Sequence, residues 1–210
     1  MLCQDNPMRA QSLAPLLLWL FLAGGAAAFL ELAEDVYRHE GFFFDAPLLA
    51  WLYAHRTPAL DRAMRLLSFS ASVQVLAPLS LVLAFWLWRR KGRWAFFLLG
   101  VGGAALLNLL LKEFFARGRP HLFPPLAVEK DYSFPSGHAM GSLAFALALG
   151  LALKDLHPRL GRAVLVLGVL WSLAVGLSRL YLQVHYPSDV LAGFLAAALW
   201  VGGVYLGTRR

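Results

Sequence analysis

The sequence predicts an all-α, polytopic membrane protein with six transmembrane helices around a four-helix core. Three observations lead there. Hydrophobic residues make up 60% of the 210 and charged residues 15%, whereas a soluble domain is about 45–50% apolar and about 25% charged. Mean hydropathy is +0.62. The apolar residues also collect in runs near the ~20 residues that a helix needs to cross a bilayer, with glycines spread through them as in helices packed in lipid. A disordered chain, a coiled coil and an ordinary cytosolic enzyme are excluded.

The six runs fall at 12–31, 69–88, 94–112, 138–154, 162–178 and 189–207. The first resembles a signal peptide, because Ala26-Ala27-Ala28 looks like a cleavage site. Its leading segment carries one cation, Arg9, and its apolar run exceeds the ~7–15 residues of a secretory core, so it is read as a retained helix. Between the first two runs, Asp45 to Leu67 is too charged to span, with His55, Arg56, Asp61, Arg62 and Arg65 interrupting it. Leu48, Leu49, Trp51, Leu52, Leu60, Met64 and Leu67 recur at helical intervals, and Pro47 and Pro58 suit two helix starts. Residues 45–67 are therefore read as two amphipathic helices in the outer interface, a connector in preference to a lateral gate. No internal repeat or separate soluble domain interrupts the chain, so residues 1–210 form one membrane-embedded domain.

Lys and Arg in short connections set the orientation. With both termini cytoplasmic, the inner segments hold Arg9, then Arg89, Arg90, Lys91 and Arg93, then Lys154, Arg159 and Arg162, and finally Arg209 and Arg210. This bias also accounts for the net charge of +7 without invoking nucleic acid, for which no motif is present. The lone cysteine, Cys3, has no internal disulfide partner, and no His/Cys cluster has zinc-site spacing.

Three polar segments stand where hydropathy alone would not place them. Lys112 and Arg119-Pro120 close the third run; seven residues apart, the two cations share a face if the helix continues. Pro135-Ser136-Gly137-His138 leads into the fourth run, where a turn and a helix N-terminus make an anion site from free N–H groups and a hydroxyl. Ser178-Arg179 ends the fifth run, His185 lies in the next turn and Asp189 opens the sixth, four residues on and within reach of the imidazole. Taken singly, each segment also fits snorkelling cations or an ordinary helix start. The topology instead carries all three to one end of four helices, on the outer face. Charges at membrane depth are costly and mark function.

These residues resemble a known pattern. Lys112-(six residues)-Arg119-Pro120, Pro135-Ser136-Gly137-His138 and Ser178-Arg179-(five residues)-His185-(three residues)-Asp189 are similar to the three-part signature of the type-2 phosphatidic acid phosphatase superfamily. All its positions are filled across 112–189, in the expected order and spacing. The resemblance implies a four-helix catalytic core and an enzyme that dephosphorylates a membrane lipid phosphate or diphosphate. His185 would be the nucleophile forming a phosphohistidine, Asp189 its orienting partner, and His138 the acid for the leaving group and then the base for water. Lys112, Arg119 and Arg179, with Ser136 and Gly137, would bind phosphate, the guanidinium forks gripping two oxygens each.

No metal or other cofactor is expected, because these cations replace it. Glu113, Glu129 and Asp131 flank the site and are assigned no ligand role, while Arg117 and Lys130 are placed beside the lipid headgroup by proximity. The loop His121 to Phe134 is read as a lid or rim. The expected partner is a lipid phosphate held in a bacterial inner membrane, with undecaprenyl diphosphate first, since its recycling removes a phosphate outside. Phosphatidate or phosphatidylglycerophosphate, a lipid phosphotransferase and a non-enzymatic phospholipid transporter are the alternatives. Oligomeric state is not legible.

Overall fold

The computed structural model describes residues 14–208, which fold into helices with no strand among them. They are α1 (Ala14–Tyr37), α2 (Asp45–Ala54), α3 (Pro58–Ser70), α4 (Val73–Arg89), α5 (Trp94–Phe115), α6 (Gly137–Lys154), α7 (Pro158–Tyr181) and α8 (Pro187–Gly207). Arg9, Cys3, Arg209 and Arg210 lie outside the described residues, as does the start of the predicted first span.

Four of these helices, α5 to α8, are long and apolar enough to cross a membrane, and α3 with α4 makes a fifth candidate if that pair, bent by 40°, is one span. The predicted runs at 94–112, 138–154, 162–178 and 189–207 correspond to the four. The run at 69–88 maps to α4 and the end of α3, and the run at 12–31 to α1, which continues unbroken through Ala26–Ala28 and packs on α8.

Small residues set the closeness of the bundle. A Cβ on Gly161 would meet the Lys154 Cα at 2.7 Å and the Gly150 carbonyl at 2.8 Å, so α6 and α7 touch backbone to backbone. A Cβ on Gly193 would meet the Ser136 carbonyl at 2.8 Å, so α8 presses on the turn that opens α6. Ala104, Ala144, Ala148, Ala152 and Ala197 are buried with Phe97, Leu87 and Val201 in the main core. Without a hydrophobic force between helices in lipid, such close contact is what holds them together.

Proline and polar caps punctuate the chain, and Pro58 opens a helix as expected. Thr57 accepts from the Leu60 N–H ahead of α3, with Pro58 at its first position. Pro158 and Pro187 likewise open α7 and α8. Leu49 and Leu52 of α2 are buried against Leu180, Tyr181, Leu182 and Val184, so α2 is docked on the α7–α8 turn. Tyr181 donates to Asp61 at 2.7 Å, which fastens α3 to the same place.

One local expectation needs correction. The third run does not continue as helix to Arg119: α5 ends at Phe115, and Ala116 takes a left-handed conformation (φ 43°) with its N–H on the Lys112 carbonyl. A left-handed residue ends a helix outright, and Pro120 keeps the following segment extended. Lys112 and Arg119 therefore do not share a helix face; they meet because the chain folds back.

Candidate active site

The C-terminal ends of α5 and α7 and the N-terminal ends of α6 and α8 come together, with loop 116–136 laid across them. Ser133 N–H donates to the Arg117 carbonyl at 2.9 Å, and its hydroxyl to Gly118, closing that loop on itself. Ser136 N–H donates to the Asp189 carbonyl at 3.0 Å, joining the second polar segment to the third. Asn108, one turn before Lys112, donates to the Pro135 carbonyl at 3.1 Å and joins the second to α5. A Cβ on Gly137 would lie 2.9 Å from the Asn108 amide oxygen, which is why a glycine stands there.

The three cations are drawn together, and each holds a carboxylate. Lys112 donates to Asp131 at 2.6 Å and to the Tyr132 carbonyl at 2.5 Å. Arg119 binds the other Asp131 oxygen at 2.5 Å, and its Nη1 donates to the Val184 carbonyl at 2.6 Å. Arg179 is ion-paired with Glu129 and donates to Ser68 of α3 at 2.5 Å. Glu129 and Asp131, assigned no role from sequence, thus occupy the positive cluster. Lys112 and Arg119 overcome the effect of burial on Asp131 and bring its carboxyl down to about 2.

His185 is 1% exposed, in the turn between α7 and α8. That turn is held by Gln183, a left-handed residue (φ 60°) whose amide donates to the Leu49 carbonyl at 3.1 Å. Arg119 Nη1 lies 3.2 Å from His185 Nε2. A guanidinium can only donate, so Nε2 is the acceptor and the proton sits on Nδ1. Nδ1 in turn faces Asp189 Oδ2 at 3.4 Å, a contact longer than the hydrogen bond expected. Burial first, then Arg179, Arg119 and Lys112, hold the imidazole well below its ordinary range, so it is neutral at pH 7. His138 stands half-buried in the first turn of α6, among the charges of Arg179, Glu129, Lys112 and Asp131.

Asp189 has its own anchors. Oδ2 accepts from the Tyr186 N–H at 2.9 Å, and Oδ1 from Arg117 at 2.5 Å. Arg117, expected beside a lipid headgroup, is instead folded inward between Asp189, Ser188 and Asp45. Its side chain is 14% exposed and its two nearest acids hold it there. Lys130 is exposed.

Among the described residues, buried polar atoms of this cluster stand without a partner: the Ser136 hydroxyl, Arg179 Nε and His185 Nδ1. Unsatisfied buried groups are rare and call for an explanation. Donors and cations arrayed around a neutral imidazole can take the oxygens of a phosphate group. Sequence reasoning gave no role to Asp45, Asn108, Glu129 and Asp131, each of which acts across 12 or more positions of chain.

The described residues form an all-helical bundle with four helices long and apolar enough to cross a membrane, and with a cluster of cations, carboxylates and two histidines at one end. Residues 93–210 match the PAP2 superfamily. Over 147 residues the chain is 34% identical to phosphatidylglycerophosphatase B of Bacillus subtilis, covering 66% of this chain and 70% of that one. It is 30% identical to undecaprenyl-diphosphatase BcrC of the same organism, over 72% of this chain and 76% of the relative. In structure it resembles the transmembrane PAP2-type phosphatidylglycerolphosphate phosphatase of Bacillus subtilis, with a TM-score of 0.71 at 28% identity, covering 94% of this chain and 98% of that one. The chain belongs to the PAP2 superfamily, and it is an enzyme of the lipid-phosphatase class.

Proposed function

We propose that the protein removes phosphate from a membrane lipid phosphate or diphosphate at the outer membrane face, through a phosphohistidine on His185 and without a metal. The observation that carries this reading is the buried, neutral imidazole of His185, with Nε2 beside Arg119 and Nδ1 toward Asp189. Lys112, Arg119, Arg179, Ser136 and Gly137 bind the phosphate oxygens after Glu129 and Asp131 have swung away. Nε2 attacks phosphorus in line, forming a P–N bond as the P–O bond to the leaving group breaks. His138 gives the departing oxygen its proton. It then takes a proton from water, whose oxygen displaces the histidine and releases inorganic phosphate. Fixed cations stabilise the oxyanions throughout, so the chemistry calls for no divalent ion.

The six-span topology, with both termini cytoplasmic and α2–α3 in the outer interface, puts the site outside. Its support is the Lys/Arg bias of the opposite connections. The whole of 1–210 is then a single membrane-embedded domain. An outer site favours undecaprenyl diphosphate, and one relative is named for that activity. Phosphatidylglycerophosphate is the second reading, favoured by the relative and the solved structure named for it.

The test is phosphate release by detergent-purified protein in excess EDTA, wild type beside His185→Ala, with undecaprenyl diphosphate, phosphatidate and phosphatidylglycerophosphate offered in parallel. Release by wild type alone is expected, fastest from undecaprenyl diphosphate. Equal release by the variant removes His185 as nucleophile. No release from folded wild type on any lipid overturns the hydrolase reading in favour of transfer or transport.

A further inference from the structure

Asp45 lies outside all three signature segments, at the first position of α2, and is 4% exposed. Its carboxylate does two things at once. Oδ1 accepts from the Ser188 N–H at 2.9 Å and Oδ2 from the Ser188 hydroxyl at 2.6 Å, so an acid from α2 caps the N-terminus of α8. Oδ2 also receives Arg117 Nη2 at 3.1 Å, while Nη1 of the same guanidinium reaches Asp189 at 2.5 Å and the Ser188 hydroxyl at 2.8 Å. The guanidinium is stacked over the Tyr186 ring at 4.3 Å, which fixes its plane. A continuous chain of contacts thus runs Asp45, Arg117, Asp189, His185.

We propose that Asp45 is a positioning residue for the reaction: through Arg117 it holds the Asp189 carboxylate toward His185 and keeps one negative charge there uncompensated. With Arg117 facing Asp189 alone, the cation would cancel the charge that must steady the imidazole as it takes on phosphorus. With Asp45 present, two carboxylates share one guanidinium, and a net charge of −1 remains beside Nδ1. The same residue ties α2 to the turn that carries the nucleophile, where Leu49 and Leu52 are already packed. This inference rests on the reading of His185 as nucleophile.

His185 feels positive charge from Arg179 on α7, Arg119 in the loop, Lys112 on α5 and His138 on α6, and negative charge from Asp189 on α8. Removing a negative charge behind Asp189 therefore shifts the balance toward those cations. The test is kcat, KM and the pH profile of kcat for purified, full-length wild type, Asp45→Asn, Asp45→Glu and His185→Ala, with thermal melting of each. Asp45→Asn keeps an acceptor for Ser188. It is expected to lower kcat about tenfold with KM nearly unchanged, and to move the acid limb about one unit to lower pH. Asp45→Glu, which restores the charge, is expected to bring the limb back. If Asp45→Asn does not fold, Asp45→Ser, neutral and still able to accept, is expected to show the same shift. A melting point that falls while kcat and the acid limb stay at wild-type values overturns the proposal and leaves Asp45 a helix cap. Wild-type turnover in His185→Ala instead removes the nucleophile reading itself, so the two failures are distinguishable.

Discussion

At the residue level, the same groups that suit a phosphate also suit a carboxylate, and the chain supplies its own. Asp131 bridges Lys112 and Arg119, so the proposed phosphate binding requires that it be displaced. Asp131→Asn is therefore expected to tighten inhibition by inorganic phosphate several-fold, measured as Ki; an unchanged or weaker Ki contradicts the displacement. Its carboxyl, at about 2, stays charged across the working range. The sign for stability follows from this: a depressed carboxyl adds stability that is complete above its unfolded value of about 3.9 and lost as pH falls from there toward about 2. His185 acts at higher pH. Its lowered imidazole refuses a proton that the unfolded chain takes up below about 6.5, so stability is expected to decline from that pH downward in thermal melts, and less so in His185→Ala. That Lys112, Arg119, Arg179, His138, His185 and Asp189 gather at one end of the bundle was legible from where each stands at the end of an apolar run. The partners Asp45, Asn108, Glu129 and Asp131 were not, because nothing local in the sequence says which distant cation or carbonyl each will meet.

Among the elements, periodicity and proline placed the helices well, and the misses have definite causes. The two short helices before α4 were legible from Pro47 and Pro58, yet their docking on the α7–α8 turn was not, since amphipathicity does not name the surface it covers. That Lys112 and Arg119 would not share a helix face was not legible, because Ala116, not a glycine, takes the left-handed position after α5. Alanine there carries a steric cost of about 1 kcal/mol that glycine lacks. Ala116→Gly is expected to raise thermal stability by about that amount with KM unchanged; a fall in melting point contradicts the assigned conformation. At the α6–α7 contact the expectation reverses. Gly161→Ala puts a methyl against the backbone of Lys154 and is expected to cost about 1–3 kcal/mol, read as a lower melting point. No change there means the helices are farther apart.

For the molecule as a whole, four helix ends and one returning loop make a single positive cluster on a scaffold of packed small residues. The topology that brings the three signature segments together was legible, because each begins or ends an apolar run on the same side. The loop whose Glu129 and Asp131 pair with the cations was legible in outline only, as a lid or rim. The central claim is that phosphate passes through His185. The most direct measurement is to mix the purified protein with lipid diphosphate labelled in its terminal phosphate, quench in alkali within the first turnover and map the labelled residue. The account predicts an alkali-stable, acid-labile label on His185 in wild type, and none in His185→Ala. Label found on another residue, or turnover with no labelled protein under conditions that trap a phosphohistidine, would contradict it.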